Sequence, residues 1–338
     1  MDLKKRTEFK ALFNKKISNA GSVCILGHIS PDGDCLGSTL SVASYVKKSF
    51  CADGKEEDGV RVYLEEASSK FAYLKGFSDI CHDEKEVKAY DLCIVLDCGD
   101  TGRVGKFLPF LKAAGDSICV DHHITNEGFA ASSLIEPDAS STSELVYDLF
   151  LPEYIDRDIA EAVYTGIIHD TGVFRYDCTS AHTMEIAGAC MSHGIDFGHI
   201  IDDSFFAMDK NQKAVLGRVL SEMEVLLDGK IALGHIDAAA MELYGVTSKD
   251  MDGIVDQLRT TRGVLGAIFM YQCRNRTYKV SLRSNSDSFN AARTAMAFGG
   301  GGHVKAAGCF MGTDLRDDIN KLVHEISLQL DSEEAYEQ

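Results

Sequence analysis

Hydrophobic residues occur in the first part of the chain as short uninterrupted runs, separated by stretches in which they recur at helical spacing. Short apolar runs predict buried strands, and helical spacing predicts amphipathic helices. The predicted strands are 22–26, 60–64, 92–96 and 117–120, and the predicted helices are 1–20, 36–46 and 158–169. Strands that alternate with helices predict a parallel sheet with crossover helices.

The second part of the chain repeats this alternation with a different order of elements. Strand-like runs cover 231–236, 264–271 and 278–282, with helical patterns at 238–244, 249–260, 288–297 and 315–330. We therefore predict an α/β protein with a mainly parallel N-terminal sheet flanked by helices (1–195), a linker helix (196–224), a smaller mixed-sheet α/β domain (225–330) and an acidic tail (331–338).

Composition agrees with two domains and limits the classes of function. The chain has 338 residues, of which 45% are hydrophobic and 25% charged, enough for two separate cores. Its 11 cysteines include no C-x-x-C pair, which predicts a reduced, cytoplasmic protein. No apolar run approaches the ~18 residues of a membrane span, so neither membrane insertion nor export is expected.

The charge balance restricts the partners of the protein. A net charge of -18, from 34 basic and 52 acidic residues, disfavours binding of long nucleic acid by phosphate neutralisation. A small anionic substrate would need a local positive site made of metal ions and a few arginines.

Acidic and imidazole side chains follow three of the predicted strands. His28, Asp32 and Asp34 come after the first, Asp97 after the third, and Asp121-His122-His123 after the fourth, while Asp170 ends a predicted helix. Each signal alone is weak, because such acids are often turn or helix-cap residues. Their recurrence at strand ends predicts one cluster at the carboxyl edge of the sheet.

Carboxylates gathered in this way repel one another unless a cation lies between them. Two imidazoles and four carboxylates suit Mn²⁺ or Mg²⁺ better than a structural zinc. Six ligands are many for one ion, so we expect a pair of divalent ions, of the kind that serves phosphoryl chemistry. Hydrolysis of a phosphate ester is the leading hypothesis.

A glycine run marks the candidate anion site of the second domain. Gly299 to Gly302 precede His303, and Arg283-Ser284 end an upstream strand-like segment. Consecutive glycines let backbone N–H groups approach an anion closely, and arginine binds phosphate in a bidentate way. A flexible turn is the plainer interpretation of the glycines alone.

The motif His28-x-x-Pro31-Asp32-x-Asp34, with Asp97, Asp121-His122-His123 and Asp170, resembles the four motifs of the DHH phosphoesterase superfamily. The resemblance implies that His28 and Asp32 hold one Mn²⁺, that Asp34, His122 and Asp170 hold the other, and that Asp97 bridges them. It implies that His123 acts on the substrate phosphate and that Arg103 contacts substrate. Mg²⁺ is the alternative metal. Asp121 is expected to orient the histidines, although a cap at the strand end is a nearly equal interpretation.

The segment Ser281-Leu282-Arg283-Ser284 and the glycine loop resemble the DHH-associated C-terminal domain. By that likeness Arg283, Ser284, Gly300, Gly301, Gly302 and His303 bind a non-scissile phosphate. Together the two halves are similar to stand-alone enzymes that degrade very short RNA oligonucleotides to nucleoside 5′-monophosphates and remove the 3′-phosphate of 3′-phosphoadenosine 5′-phosphate. The expected mechanism is attack of a metal-bridging hydroxide on phosphorus, and the resemblance favours a homodimer.

Alternative functions share part or all of these motifs. A phosphodiesterase for cyclic di-AMP, or for the linear dinucleotide made from it, shares all of them. A manganese pyrophosphatase would need a lysine- and arginine-rich second site in place of the glycine loop. A catalytically silent nucleotide-binding module would lack ligands, and none of the six is missing. Nucleases for long substrates would need further nucleic-acid-binding domains.

Overall fold

The computed structural model describes residues 3–83, 86–273 and 275–334. The chain forms two compact units, the first ending at Ala207 and the second beginning at Met208. Each unit has its own sheet and its own hydrophobic cores.

The first unit contains a five-stranded sheet in which all neighbouring strands are parallel. Its strands are β1 (Val23–Leu26), β2 (Val60–Tyr63), β3 (Leu92–Leu96), β4 (Asp116–Asp121) and β5 (Ser132–Ile135), in the order β2-β1-β3-β4-β5. The register pairs Leu26 with Val95 and Leu96 with Val120. The three strands that precede the candidate ligands are therefore neighbours.

Helices cover this sheet on both faces. They are α1 (Leu3–Asn19), α2 (Gly33–Ala52), α3 (Leu108–Ala113), α4 (Thr142–Leu149), α5 (Arg157–Asp170), α6 (Ala181–Ser192) and α7 (Phe197–Ile201). Successive residues of β1 enter different cores, Val23 and Ile25 on one face and Cys24 and Leu26 on the other. Burial on both faces explains why the strands read as uninterrupted apolar runs.

The second unit contains a six-stranded mixed sheet in the order β10-β11-β9-β8-β7-β6. The strands are β6 (Glu224–Leu226), β7 (Ile231–Ile236), β8 (Gly266–Gln272), β9 (Tyr278–Ser284), β10 (Gly301–Gly302) and β11 (Ala306–Met311). Its helices are α8 (Lys210–Ser221), α9 (Ala238–Tyr244), α10 (Ile254–Arg259), α11 (Ala291–Ala297) and α12 (Leu315–Glu334). Among the described strands of this sheet, only β7 and β8 are parallel neighbours.

The predicted α/β architecture, with a parallel first sheet and a mixed second one, is confirmed. The region predicted as one linker helix, 196–224, instead holds α7, a π-helical turn at Asp202–Phe206 and α8. Both Asp196 and Asp209 cap new helix starts there, which divides the segment. The predicted acidic tail overlaps the end of α12, and its last residues, 335–338, lie outside the described residues.

No helix in the described part of the chain has the length and apolar character needed to cross a membrane. All 11 cysteines are free thiols, and those on β1, β3 and β4 are fully buried.

Candidate metal centre

Three neighbouring parallel strands deliver the candidate ligands to one edge of the first sheet. His28 lies two residues beyond β1, Asp97 follows β3 directly, and Asp121 ends β4 just before His122 and His123. Because the sheet order is β1-β3-β4, Asp97 lies in the middle. This edge is where open α/β sheets bind their ligands.

The loop after β1 positions its residues through the start of α2. Asp32 is the N-cap of that helix, and its Oδ1 accepts hydrogen bonds from Asp34 N and Cys35 N at 3.1 Å. His28 donates from Nδ1 to Ile29 O at 2.8 Å, which leaves Nε2 at 3.5 Å from Asp32 and 3.4 Å from Asp97. One ring nitrogen is thus fixed by the backbone and the other faces the carboxylates.

The carboxylate of Asp97 lies at the centre of the cluster. It is 2% exposed, and its oxygens lie 3.4 Å from His28 Nε2, 3.6 Å from His122 Nε2 and 3.6 Å from His123 Nδ1. Its backbone has φ 54°, in the left-handed region that non-glycine residues rarely adopt. Such a costly conformation is typical of functional sites, where the surrounding structure holds it in place.

Asp34 is held by a helix that the sequence patterns did not predict. Its carboxylate accepts hydrogen bonds from Thr142 N at 2.6 Å and Ser143 N at 2.9 Å, at the N-terminus of α4. The helix dipole favours an anion at this position. Even so, burial raises the pKa of Asp34 well above its usual range, and the nearby carboxylates of Asp97 and Asp170 raise it further.

Asp34, His122 and Asp170 form a second group of donors around the cluster. Their candidate ligand atoms lie within 4.8 Å of one another, and His122 Nε2 is 3.1 Å from Asp170. The other ring nitrogen of His122 donates to Ala139 O at 3.3 Å. Burial raises the pKa of Asp170 to about 6, although the hydrogen bond with His122 opposes this rise.

His123 contacts Asp121 through a direct hydrogen bond. Its Nδ1 donates to Asp121 Oδ1 at 2.7 Å, and this bond is the main cause that raises the pKa of His123. Asp121 also accepts from the backbone N–H groups of His122 and His123, and from Asn126 Nδ2 at 2.7 Å. Asp121 is therefore both a strand-end cap and a positioning group for His123.

The donor set fits divalent metal. Two buried carboxylates, Asp34 and Asp97, lie close together with imidazole nitrogens on either side, and their repulsion is relieved by a cation. Oxygen and imidazole donors suit hard or borderline divalent ions. His28 lies beside Asp32 and Asp97, whereas His122 lies beside Asp97, Asp34 and Asp170, so Asp97 is common to both groups.

In the second unit, one strand, β11, lies between Arg283 on β9 and the glycine loop that forms β10. Arg283 pairs with Ala306 across β9 and β11, and Gly301 pairs with Gly308 across β10 and β11. Gly302 has φ 143°, a conformation that favours glycine, and a side chain there would lie 2.5 Å from Ala307 Cα. His303 N donates to Ala306 O at 2.8 Å, which closes the hairpin.

Two family models together match more than half of the chain. The model described as DHH family, N-terminal domain, matches residues 22–167, and the DHHA1 domain model matches residues 235–330. The chain belongs to the DHH family. It is an enzyme of the phosphoesterase class, and the resemblance inferred from its motifs is confirmed.

Relatives of this DHH family protein match nearly the whole chain. A Thermus thermophilus protein named bifunctional oligoribonuclease and PAP phosphatase NrnA is 28% identical over 315 residues, which are 92% of this chain and 90% of that protein. The cyclic-di-AMP phosphodiesterase PdeA of Listeria monocytogenes is 27% identical, and the match covers 93% of this chain but 49% of PdeA.

A solved structure of similar fold comes from Bacteroides fragilis. It is an exopolyphosphatase-related protein with a TM-score of 0.86 and 25% identity, and the match covers 95% of this chain and 96% of that one.

Two residues predicted to contact substrate lie at strand ends of this DHH family protein: Arg103 in the loop after β3, and Ser284 at the end of β9. Arg103 is exposed, and its carbonyl accepts from Ile29 N at 2.8 Å beside His28. The hydroxyl of Ser284 points to the buried face of β9, opposite to Arg283, and donates to Ser286 O at 2.6 Å. Ser281 shares the face of Arg283, which the two-residue period of a strand indicates.

Two further residues belong to the cluster and were missed. Thr142 Oγ1 donates to Asp97 Oδ1 at 3.3 Å, and Cys35 Sγ lies within 4.8 Å of donor atoms of His28 and Asp97. Cys35 directly follows Asp34, so its position in the motif was a usable signal. Thr142 is brought to Asp97 only by tertiary folding, and nothing local in the sequence marks it.

Proposed function

We propose that the protein is a divalent-metal-dependent hydrolase that cleaves very short RNA to nucleoside 5′-monophosphates and removes the 3′-phosphate of 3′-phosphoadenosine 5′-phosphate. The observation that carries this proposal is Asp97, a buried carboxylate flanked on both sides by imidazole and carboxylate groups. The choice of substrates rests on two relatives that are named as bifunctional oligoribonuclease and PAP phosphatase. This chain matches each of them over 90% of its length.

The metal assignment follows the two groups of donors around Asp97. In this proposal His28 and Asp32 would hold one ion, Asp34, His122 and Asp170 would hold the other, and Asp97 would serve both. Mn²⁺ is the proposed ion, with Mg²⁺ as the alternative. Bound divalent ions would neutralise phosphate charge and lower the pKa of water to supply a hydroxide nucleophile near neutral pH.

His123 is the proposed proton donor to the departing sugar oxygen. Asp121 holds the Nδ1 proton of the ring, so Nε2 is the nitrogen left to face substrate. The hydrogen bond with Asp121 raises the pKa of His123, which favours the protonated imidazole that a general acid requires. Arg103 is proposed to contact the substrate phosphate from the loop after Asp97.

The second unit is proposed to bind a phosphate that is not cleaved. Arg283 offers guanidinium N–H groups. The N–H groups of Gly300 and His303 already donate to Ala295 O and Ala306 O, so the proposed role of the glycines is to let the phosphate approach the backbone closely at Gly301 and Gly302. Arg283 Nε lies 3.4 Å from Asp256 Oδ1, a contact that orients the side chain. The proposed role of Ser284 in phosphate binding is to fix the turn after β9, where its hydroxyl donates to Ser286 O. Ser281 has its hydroxyl on the same face of β9 as Arg283.

Hydrolysis of cyclic di-AMP, or of its linear dinucleotide product, is the second candidate function. It is favoured by the match to PdeA, which spans 93% of this chain. The match covers only 49% of PdeA, so about half of that protein lies outside the shared region. We therefore place short RNA and 3′-phosphoadenosine 5′-phosphate first.

One experiment separates these functions. Purified protein with Mn²⁺ is given an RNA dinucleotide, a long RNA, 3′-phosphoadenosine 5′-phosphate, cyclic di-AMP and pyrophosphate at equal concentration, and initial rates are compared. We expect the highest initial rates with the RNA dinucleotide and with 3′-phosphoadenosine 5′-phosphate. Equal turnover of the long RNA would contradict the length preference, and faster turnover of cyclic di-AMP would replace the first function by the second. Light scattering of the same sample tests the proposed homodimer.

A further inference from the structure

The two faces of the sheet in the second unit differ in what covers them. Along β9 the buried residues alternate with half-buried ones, so Val280 and Leu282 enter the core beneath α11 and α12. Lys279, Ser281 and Arg283 point to the opposite face. On that face α8, α9 and α10 pack over β7 and β8, and the apolar cluster they form includes no described residue of β9 or β11.

Strand β11 continues the outward face of β9, which at its Arg283 end contacts Asp256 of α10. Its buried residues are Ala307, Cys309 and Met311, and its outward residues are Ala306, Gly308 and Phe310. The register places Ala306 beside Arg283, Gly308 beside Ser281, and Phe310 beside Lys279. We call these three pairs the open ladder. Arginine lies at one end, an aromatic ring at the other, and small residues of β11 lie between them.

Phe310 has the most exposed side chain among the described phenylalanines. The residue is 59% exposed, and Lys279 Nζ lies 4.5 Å from the centroid of its ring. An exposed phenylalanine beside a lysine gains little for folding. The pair does combine an aromatic face, on which any nucleobase stacks, with a cation for the adjoining phosphate.

The distance between the two ends of the ladder indicates which part of a substrate the ring meets. Arg283 and Lys279 are four residues apart on β9, which corresponds to about 13 Å along the strand. Gly308 has no side chain to interrupt this span, and a Cβ there would lie 2.8 Å from Val280 O. A nucleotide held by its phosphate at Arg283 can therefore continue along the ladder toward Phe310.

We propose that Phe310 and Lys279 form a stacking subsite for the base of a second nucleotide, next to the one whose phosphate contacts Arg283. This inference rests on the proposed function. It adds that the protein distinguishes an oligonucleotide from a mononucleotide by binding a second base. The occupant is a single-stranded oligonucleotide of two or a few residues. A mononucleotide that carries one base and two phosphates leaves the subsite empty.

The test is Phe310→Ala, assayed with an RNA trinucleotide and with 3′-phosphoadenosine 5′-phosphate. We expect KM for the trinucleotide to rise about tenfold with kcat unchanged, because one base loses its stacking partner. Both constants for the mononucleotide are expected to stay within about twofold of the wild type. Phe310→Tyr keeps an aromatic ring and is expected to restore KM. Leu243→Ala, which removes another exposed apolar side chain from the second unit, is the matched control.

Several outcomes would overturn the inference. They are an unchanged KM for the trinucleotide, an equal rise for both substrates, or dissociation of an oligomer in Phe310→Ala, which would assign the ring to a contact between copies. If the wild type hydrolyses both substrates while Phe310→Ala has no effect, only this inference fails. If the wild type hydrolyses neither, the proposed function fails, and this inference fails with it.

Discussion

At the scale of single residues, Asp97 lies at the centre of the candidate metal cluster. Its carboxylate lies within 3.6 Å of imidazole nitrogens of His28, His122 and His123, and it accepts a hydrogen bond from Thr142. The backbone at this residue has φ 54°, a strained conformation of the kind that occurs at functional sites. Asp97, at the end of β3, therefore lies between the His28 that follows β1 and the two histidines that follow β4.

Replacement of Asp97 by asparagine tests this role. Asparagine keeps the size and the acceptor for Thr142 but loses the negative charge, so kcat is expected to fall by at least about a hundredfold. Unfolding in urea is expected to show no loss of stability, because one of two neighbouring buried anions has been removed.

Asp116→Asn is the control for that substitution. Asp116 begins β4 at the opposite edge of the same sheet, where it pairs with Lys16 at 2.8 Å. The control variant is expected to keep full activity. Mn²⁺-dependent turnover by Asp97→Asn at the wild-type rate would show that Asp97 is not part of the catalytic centre.

At the scale of elements, helices α2, α4 and α5 build the support beneath the cluster. A Cβ at Gly37 of α2 would lie 2.5 Å from Ala162 O of α5, so the two helix backbones are in close contact. A Cβ at Gly166 of α5 would lie 1.9 Å from Ser143 Oγ and 2.6 Å from Asp34 Oδ1. Gly166 thus leaves the space in which Asp34 meets the N-terminus of α4.

Gly166→Ala is expected to disturb both stability and metal binding. The added methyl group overpacks a buried site, which costs about 1–3 kcal/mol of unfolding free energy. It also displaces the carboxylate of Asp34, so the affinity for Mn²⁺ is expected to fall. Urea unfolding and a Mn²⁺ titration measure the two effects.

Gly188→Ala is the matched control in the same unit. Gly188 lies in α6 with no heavy atom within 4 Å of the Cβ position and without a positive φ. This variant is expected to bind Mn²⁺ normally and to gain about 0.5–1 kcal/mol from helix propensity. Equal behaviour of the two alanine variants would show that Gly166 does not shape the site.

At the scale of the whole molecule, the proposed metal ligands and the proposed substrate-binding strands lie in different units. The four apolar clusters each lie within one unit, two in the first and two in the second. All six proposed metal ligands belong to the first unit, and the open ladder belongs to the second. Stabilisation by bound metal should therefore act on the first unit alone.

Hydrogen exchange with and without Mn²⁺ measures this division. Peptides from the first unit are expected to exchange more slowly with Mn²⁺. The free energy of the opening that allows exchange should rise by about 2.7 kcal/mol when the free Mn²⁺ concentration is about a hundred times Kd. Peptides from the second unit are expected to be unchanged, and removal of Mn²⁺ with a chelator should reverse the effect. Equal gains in both units would contradict the prediction and indicate that they unfold together.

Much of this organisation was predictable from local sequence. The runs that became β1, β3 and β4 are buried on both faces, so their hydrophobicity was uninterrupted and their ends were easy to place. Elements with short or polar sequences were missed, among them β5, α4 and the two-residue β10. Such segments are stabilised by neighbours rather than by their own pattern.

The sequence by itself predicted which side chains gather at the carboxyl edge of the first sheet, because strand ends bear side chains that can be recognised one by one. It also determined the family and the alternation of elements. Only the tertiary structure decided how those residues are supported: Asp34 by the N-terminus of α4 more than a hundred residues away, and Asp97 by Thr142. It also decided that Arg283 and Phe310 share one face. Such contacts join segments that are far apart in the sequence, and no hydrophobic pattern within either segment indicates that they meet. They form only when the chain folds.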